Sequence, residues 1–209
     1  MPRLCELFNQ DPDRDDGNTA PLHCVTTTIN RIFRPAAVEQ TQDLLDTLPT
    51  PGQTFHLVLG EKARWDYWQI VPRILSLAGM KATELLLTSL NISADAAAEL
   101  CRLIEEGKVQ RPRVLLSDWF RADKNYAAVL QRLEQTAAGA GGWCCTCRVH
   151  AKLILARLED GTCFVSESSA NLRSCSSVET CTVTNDRALF EFHKQWILAE
   201  HARSTAKEK

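Results

Sequence analysis

Residues 149–171 read VHAKLILARLEDGTCFVSESSAN, and the way this stretch pairs with itself decides the fold. Val149, Ala151, Leu153 and Leu155 alternate with His150 and Lys152 at its start, which predicts a strand with both polar side chains on one face. Glu159-Asp160-Gly161 is a hairpin signal between predicted strands at 144–158 and 162–167. An antiparallel return brings the end of the second strand beside the start of the first. Ser168, Ser169 and Asn171 follow that second strand, so they are expected next to His150 and Lys152.

Outward from the hairpin, short apolar runs alternate with helical periods. Residues 54–59, 84–90, 113–117 and 178–184 have strand length. Helices are predicted over 36–48, 64–78 (with a kink or late start at Pro72), 93–106 and 123–136. Ser93 is placed to cap the third of these, with Gly107 just past its end. Residues 137–142, AAGAGG, read as a flexible connector. A last helix starts at Asp186 and runs to about 201, with Leu189, Phe192, Trp196 and Ile197 inward. This order predicts an α/β fold: a mixed, largely parallel sheet flanked by helices on both faces. The expected layout is a flexible acidic tail at 1–25, one domain at 26–203 and a short tail at 204–209.

The bulk numbers narrow the function. With 209 residues and 44% hydrophobic content the chain can build one sizeable core. A formal charge of −2 weighs against a dedicated architectural DNA binder but says little about an enzyme that touches a few phosphates. No apolar stretch approaches the roughly 20 residues a bilayer requires, and no leader pattern opens the chain, so no membrane contact and a cytoplasmic location are expected. The nine cysteines then read as reduced thiols. Cys144, Cys145 and Cys147 cluster but lack the second, separated pair of a structural zinc site, so no metal is expected.

The residues around the hairpin suit phosphoryl chemistry. Neutral imidazole can attack phosphorus near pH 7. A Lys ammonium and an Asn amide can hold the non-bridging oxygens, and Ser hydroxyls add donors. A bland reading stands beside this one: Lys is common on edge strands, and Ser and Asn form turns. Trp143 and Trp119-Phe120 could stack on a base or close a core edge, and Arg121, Lys124, Arg148 and Arg173 could line the mouth or be solvated. His56 and His193 read as packed or solvated.

The stretch 149–171 resembles the HKD motif of the phospholipase D superfamily of phosphodiesterases, nucleases and phosphatidyltransferases. Val178-Glu179-Thr180 is similar to that family's trailing Glu, which hydrogen-bonds the active-site His, and the likeness extends over residues 54–200. The resemblance implies a phospholipase D-like fold with His150, Lys152, Asn171 and Glu179 catalytic and Ser168 and Ser169 on the substrate. It further implies hydrolysis through a covalent phosphohistidine, no cofactor, and nucleic acid as substrate. One motif supplies one imidazole where the mechanism needs two, so a homodimer with a shared active site is expected. Two departures are Arg157, where the family often has Asp, and Ser168, where it usually has Gly. Two other readings stay open: phosphatidyl transfer, and a non-catalytic module that keeps the fold and binds nucleic acid or protein.

Overall fold

Strands and helices alternate as the hydrophobic periods require. The computed structural model describes residues 30–36, 45–59, 65–175 and 177–207; the expected tail at 1–25 lies outside them. In chain order the elements are β1 (Asn30–Ala36), β2 (Gln53–Leu59), β3 (Trp65–Asp66), α1 (Ile70–Ala78), β4 (Ala82–Ser89) and α2 (Ala94–Glu105). They continue with β5 (Pro112–Ser117), α3 (Asp118–Ala122), α4 (Ala127–Gly139), β6 (Trp143–Cys147) and β7 (Leu153–Leu158). The last are β8 (Cys163–Ser168), β9 (Ser174–Cys175), β10 (Glu179–Asn185) and α5 (Arg187–Lys207).

Eight strands form one sheet in the order β1-β2-β10-β8-β7-β4-β5-β6, while β3 pairs with β9. The β1/β2, β4/β5 and β5/β6 ladders are parallel and the other four are antiparallel. Following these directions across the sheet, β7 and β10 alone run against the other six. The sheet is therefore mixed and largely parallel in direction, as the alternation predicts. Leu85, Leu87, Val114, Leu116 and Ile154 pack in one cluster with Ile74, Leu100, Leu130 and Leu133 from α1, α2 and α4. Leu86, Leu115, Leu155 and Val165 pack in a second cluster with Phe190 and Ile197 of α5. Alternate residues of β4 and β5 thus feed opposite faces, with helices on each.

The predicted strand 144–158 divides into two. β6 lies at the sheet edge on β5, β7 lies on β4, and residues 148–152 cross the ends of β5 and β4 between them. Alternation persists through the crossing because its extended backbone keeps a period of two without a ladder partner. The β7/β8 hairpin forms as predicted, from Leu153↔Glu167 to Arg157↔Cys163.

Caps fall where the side chains allow. Ser93 Oγ accepts from Ala96 N at 3.1 Å, and Asp186 Oδ1 accepts from Ala188 N at 2.7 Å and Leu189 N at 3.1 Å. The helix predicted from 64 starts at Ile70, after a 3₁₀ turn at Tyr67–Gln69 whose Trp68 N donates to Asp66 Oδ1 at 3.0 Å. Pro72 is tolerated as its third residue, where an N–H has no intrahelical acceptor. Of the helix predicted at 36–48, Ala36 ends β1 and residues 45–48 are irregular; the rest lies outside the described residues. α4 runs to Gly139, into the stretch expected to be flexible, and α5 runs beyond 203 to Lys207. Residues 202–207 contain no Gly or Pro to stop it, Trp143 stacks on His201 at 4.0 Å, and Ser204 Oγ donates to Thr146 O at 2.9 Å. On α5 the deepest side chains are Phe190, His193 and Ile197, while Leu189, Phe192 and Trp196 are half-buried.

Arg157 takes part in a buried charge cluster. Glu84, 2% exposed, lies opposite it in the β4/β7 ladder, with Arg157 Nε 3.2 Å, Arg113 Nη1 2.7 Å and Lys194 Nζ 2.8 Å from its carboxylate. Arg157 also pairs with Glu191 and lies 4.7 Å above the Phe190 ring. Burial works to raise the Glu84 carboxyl, but Lys194 and Arg113 outweigh it and hold the group below the ordinary carboxylate range. Arg157 sits at the far end of β7 from Lys152, so the departure from Asp is accommodated away from His150.

Candidate functional site

Six strands share a direction, and their carboxyl ends lie along one edge of the fold, the usual place for a site in an open α/β sheet. Ser89, Ser117, Cys147 and Ser168 close four of them there. Onto this edge the 148–152 crossing brings His150 and Lys152, the turn after β8 brings Ser169 and Asn171, and β10 starts with Glu179. All six residues picked out by the sequence therefore gather at one end of the sheet.

Within the crossing, Lys152 Nζ lies 2.9 Å from His150 Nδ1. The spacing of two expected on a strand is retained, although neither residue is in a ladder. The backbone is braced instead by Thr88 Oγ1, which donates to Ala151 O at 2.9 Å, and by Ser168 N, which donates to Lys152 O at 3.1 Å. His150 is exposed and Lys152 half-buried. Burial lowers the Lys152 pKa from its ordinary value, partly opposed by the negative charge of Glu179.

The loop after β8 is held by its own hydroxyls. Ser168 Oγ donates to Thr180 O at 2.9 Å and accepts from Ala170 N at 3.0 Å. Ser169 Oγ accepts from Thr180 N at 3.0 Å and donates to the Glu179 carboxylate. Both hydroxyls, expected on the substrate, here fasten the loop to β10. Ser168 stands where the resemblance expects Gly, and its side chain does work that Gly has no atoms for. Asn171 is half-buried, with its Oδ1 3.3 Å from Ser89 Oγ. Ser89 also donates to Asn91 O at 2.7 Å and accepts from Leu172 N at 3.2 Å, tying the loop to the end of β4. Thr88 and Ser89 escape sequence reasoning because they lie more than 60 residues from the partners they hold.

Beside His150 is an open groove of about 470 Å³ whose lining includes Leu90, Trp119 and Arg148. Trp119 is 76% exposed, whereas Trp143 lies against His201 on α5. On the other flank, His56, Ser168, Ser169 and Thr180 line a groove of about 670 Å³. His193 is packed, as expected: Trp196 Nε1 donates to its Nδ1 at 3.0 Å, which leaves the proton on Nε2, 3.2 Å from Glu167. The contact with His193 is the main cause of a Glu167 pKa below the ordinary range.

Burial pushes the Cys181 thiol up to about 12 and raises that of Cys144 too, so neither offers a thiolate near neutral pH. No three His, Cys, Asp or Glu side chains group as metal ligands among the described residues. No helix among the described residues is long and apolar enough to cross a membrane.

No family model matches the sequence, and no curated protein matches it. In structure the chain is similar to Nuc of Salmonella typhimurium, a phospholipase D family member, with a TM-score of 0.49 and 15% identity over 70% of this chain and 93% of Nuc. It is also similar to polyphosphate kinase from Porphyromonas gingivalis, with a TM-score of 0.43 and 18% identity over 63% of this chain and 23% of the kinase. Yeast tyrosyl-DNA phosphodiesterase follows at a TM-score of 0.31 and 17% identity, over 49% of this chain and 25% of that protein.

Proposed function

We propose that this chain is a phospholipase D-like phosphodiesterase that hydrolyses nucleic acid through a covalent phosphohistidine on His150. The observation that carries the reading is the His150–Lys152 pair, 2.9 Å apart on a braced segment, at the sheet end that also holds Asn171 and Glu179. An exposed imidazole beside an ammonium is a nucleophile next to an anion clamp.

In the first step His150 Nε2 attacks phosphorus; the P–N bond forms, the P–O bond to the leaving group breaks, and that oxygen takes a proton from a second imidazole. In the second step water attacks phosphorus, the P–N bond breaks and the second imidazole takes the proton of water. Attack by Nε2 needs the proton on Nδ1, but Nδ1 faces the Lys152 ammonium and acts as an acceptor. Lys152 must therefore turn to the phosphate when substrate arrives, joined there by the Asn171 amide. Glu179 is the nearby carboxylate that influences Lys152, and it can take over Nδ1–H once it releases Ser169. Ser169 can offer the phosphate its hydroxyl after that release, while the Ser168 and Ser169 N–H groups, donated to Lys152 O and Thr180 O, keep the loop in place for it.

The second imidazole comes from a second copy. Among the described residues His56, His193 and His201 lie on elements other than the His150 crossing, and His193 and His201 pack against Trp196 and Trp143. A two-fold dimer sets the same patch of each subunit against the other, so two copies of His150 face one phosphate. Such an interface should bury more than roughly 1,000 Å² in total. One domain over 26–203, in the cytoplasm, completes the reading; the free thiols of Cys101, Cys163 and Cys181 fit a reducing compartment.

The test is turnover of nucleic acids and bis-p-nitrophenyl phosphate by wild type and His150→Ala, with trapping of the intermediate. The variant should lose more than roughly 10²-fold in rate, and acid-labile phosphate should map to the peptide containing His150. Label on a serine, or full activity in the variant, would overturn the reading. Mixed dimers of wild-type and His150→Ala subunits should be nearly inactive; half the wild-type rate per dimer would remove the shared site.

A further inference from the structure

Among the described residues Trp119 is one of few large apolar side chains left in solvent, at 76% exposure, while its neighbour Phe120 is 3% exposed and packs on Tyr126 with ring centroids 4.7 Å apart. The short helix α3 turns one aromatic inward and the other out. The backbone that carries Trp119 is held: its main-chain N–H donates to Ser117 Oγ at 3.3 Å, and Arg121, one residue past Phe120, donates to Thr146 Oγ1 at 2.7 Å. Trp119 and Leu90 line two cavities: the 470 Å³ groove shared with Arg148 and His150, and another of about 170 Å³ with Asn91, Phe120 and Tyr126. The indole thus borders open space on two sides, one of them shared with His150.

We propose that Trp119 is a stacking platform for an unpaired nucleobase, so that the protein takes single-stranded nucleic acid with a backbone phosphate at His150. The proposal deepens the reading of His150 as the phosphate-handling residue and rests on it. Base–aromatic stacking tolerates any base, because every base has a π-face. A base within a duplex has both faces covered and must be unstacked first, so the platform favours a strand whose bases are already free. Charge sets the polarity of the groove. Arg148 attracts backbone phosphate toward the His150 end, and Asp118, adjacent to Trp119, repels it from the indole end.

The experiment uses the full chain carrying His150→Ala, with Kd measured by anisotropy at low salt. The probes are a labelled single-stranded dodecamer, the same strand in a blunt duplex, and an abasic strand with the same sugar-phosphate backbone. Trp119→Ala on this background should weaken the single strand about tenfold, within the roughly 5- to 150-fold expected for one stacked base, and leave the abasic strand unchanged. Trp119→Phe should keep most of the affinity. Exposure of Trp119 makes a folding defect unexpected, and equal melting temperatures check this. Equal affinity for all three probes, loss of abasic binding in step with the normal strand, or no binding at all overturns the platform. So does Trp119-dependent partition into phosphatidylcholine vesicles without strand binding. Trp119-dependent binding in a protein that cleaves no phosphodiester would overturn the catalytic reading and leave the platform. Cleavage dependent on His150 with no role for Trp119 would do the reverse.

Discussion

Replacing Arg157 by Asp restores the residue that the phospholipase D-like motif often has at this position, and it should cost the fold several kcal/mol. Arg157 is about one-fifth exposed and Glu84 almost fully buried, so water screens their interaction poorly. Setting a second carboxylate against a buried one in place of its cation leaves uncompensated charge, which costs about 3–5 kcal/mol, and losing the guanidinium over Phe190 adds about 0.5–1 kcal/mol. The new carboxylate also faces Glu84 across the ladder and Glu191 on α5. A loss of at least about 4 kcal/mol follows, or about 8–16 °C in melting temperature for a domain of this size. Urea unfolding followed by far-UV circular dichroism, together with thermal melts, reads both quantities. Arg157→Met is the control: it removes the charge and leaves Glu84 paired with Arg113 and Lys194, so it should cost much less than Asp. The gap between Asp and Met depends on an ionised Glu84. That carboxyl titrates lower in the folded chain than in the unfolded one. Its contribution is therefore whole above the ordinary Glu range and is lost as pH falls through the folded value, and the gap should close over the same window. An Asp variant within about 1 kcal/mol of wild type, or no worse than Met, would refute the reasoning.

Gly142→Ala should cost about 1–3 kcal/mol or more, because a Cβ there would lie 1.7 Å from Pro112 O; Gly139→Ala, in α4 with open space around it, should instead gain about 0.5–1 kcal/mol in the same melts. The alkaline limb of kcat/KM should fall at a pH below the ordinary Lys range, since burial lowers the Lys152 pKa and only the ammonium clamps phosphate, and Lys152→Arg should move that limb upward. A limb unmoved by the substitution would acquit Lys152. Chelation should leave the rate unchanged, and activity lost to EDTA and regained with a divalent ion would sink the phosphohistidine mechanism.

Features set by neighbouring residues are the ones the sequence makes legible. Ser93 and Asp186 reveal themselves as caps because donor and acceptor lie within three residues, and the β7/β8 hairpin because only four residues, 159–162, separate its strands. The division of 144–158 into β6 and β7 is hidden, since extended backbone alternates its side chains with or without a partner strand. Arg157 looks like a flaw in the motif until Glu84, 73 positions earlier, is seen opposite it. The exposure of Trp119 is equally opaque: Trp119 and Phe120 are adjacent aromatics, and only the packing of α3 says which one faces water.

Thr88 and Ser89 give the site a property that a search for its motif would miss. The residues proposed for the chemistry fall between His150 and Glu179, a span that recombination could move as one cassette. The hydroxyls that hold the crossing and the Asn171 loop in register belong to β4, far outside that span. A chain that inherited the cassette without this Thr-Ser pair would carry every hallmark residue and still hold them out of line. By this geometry the pair at 88 and 89 is as much a part of the proposed site's alignment as the motif itself.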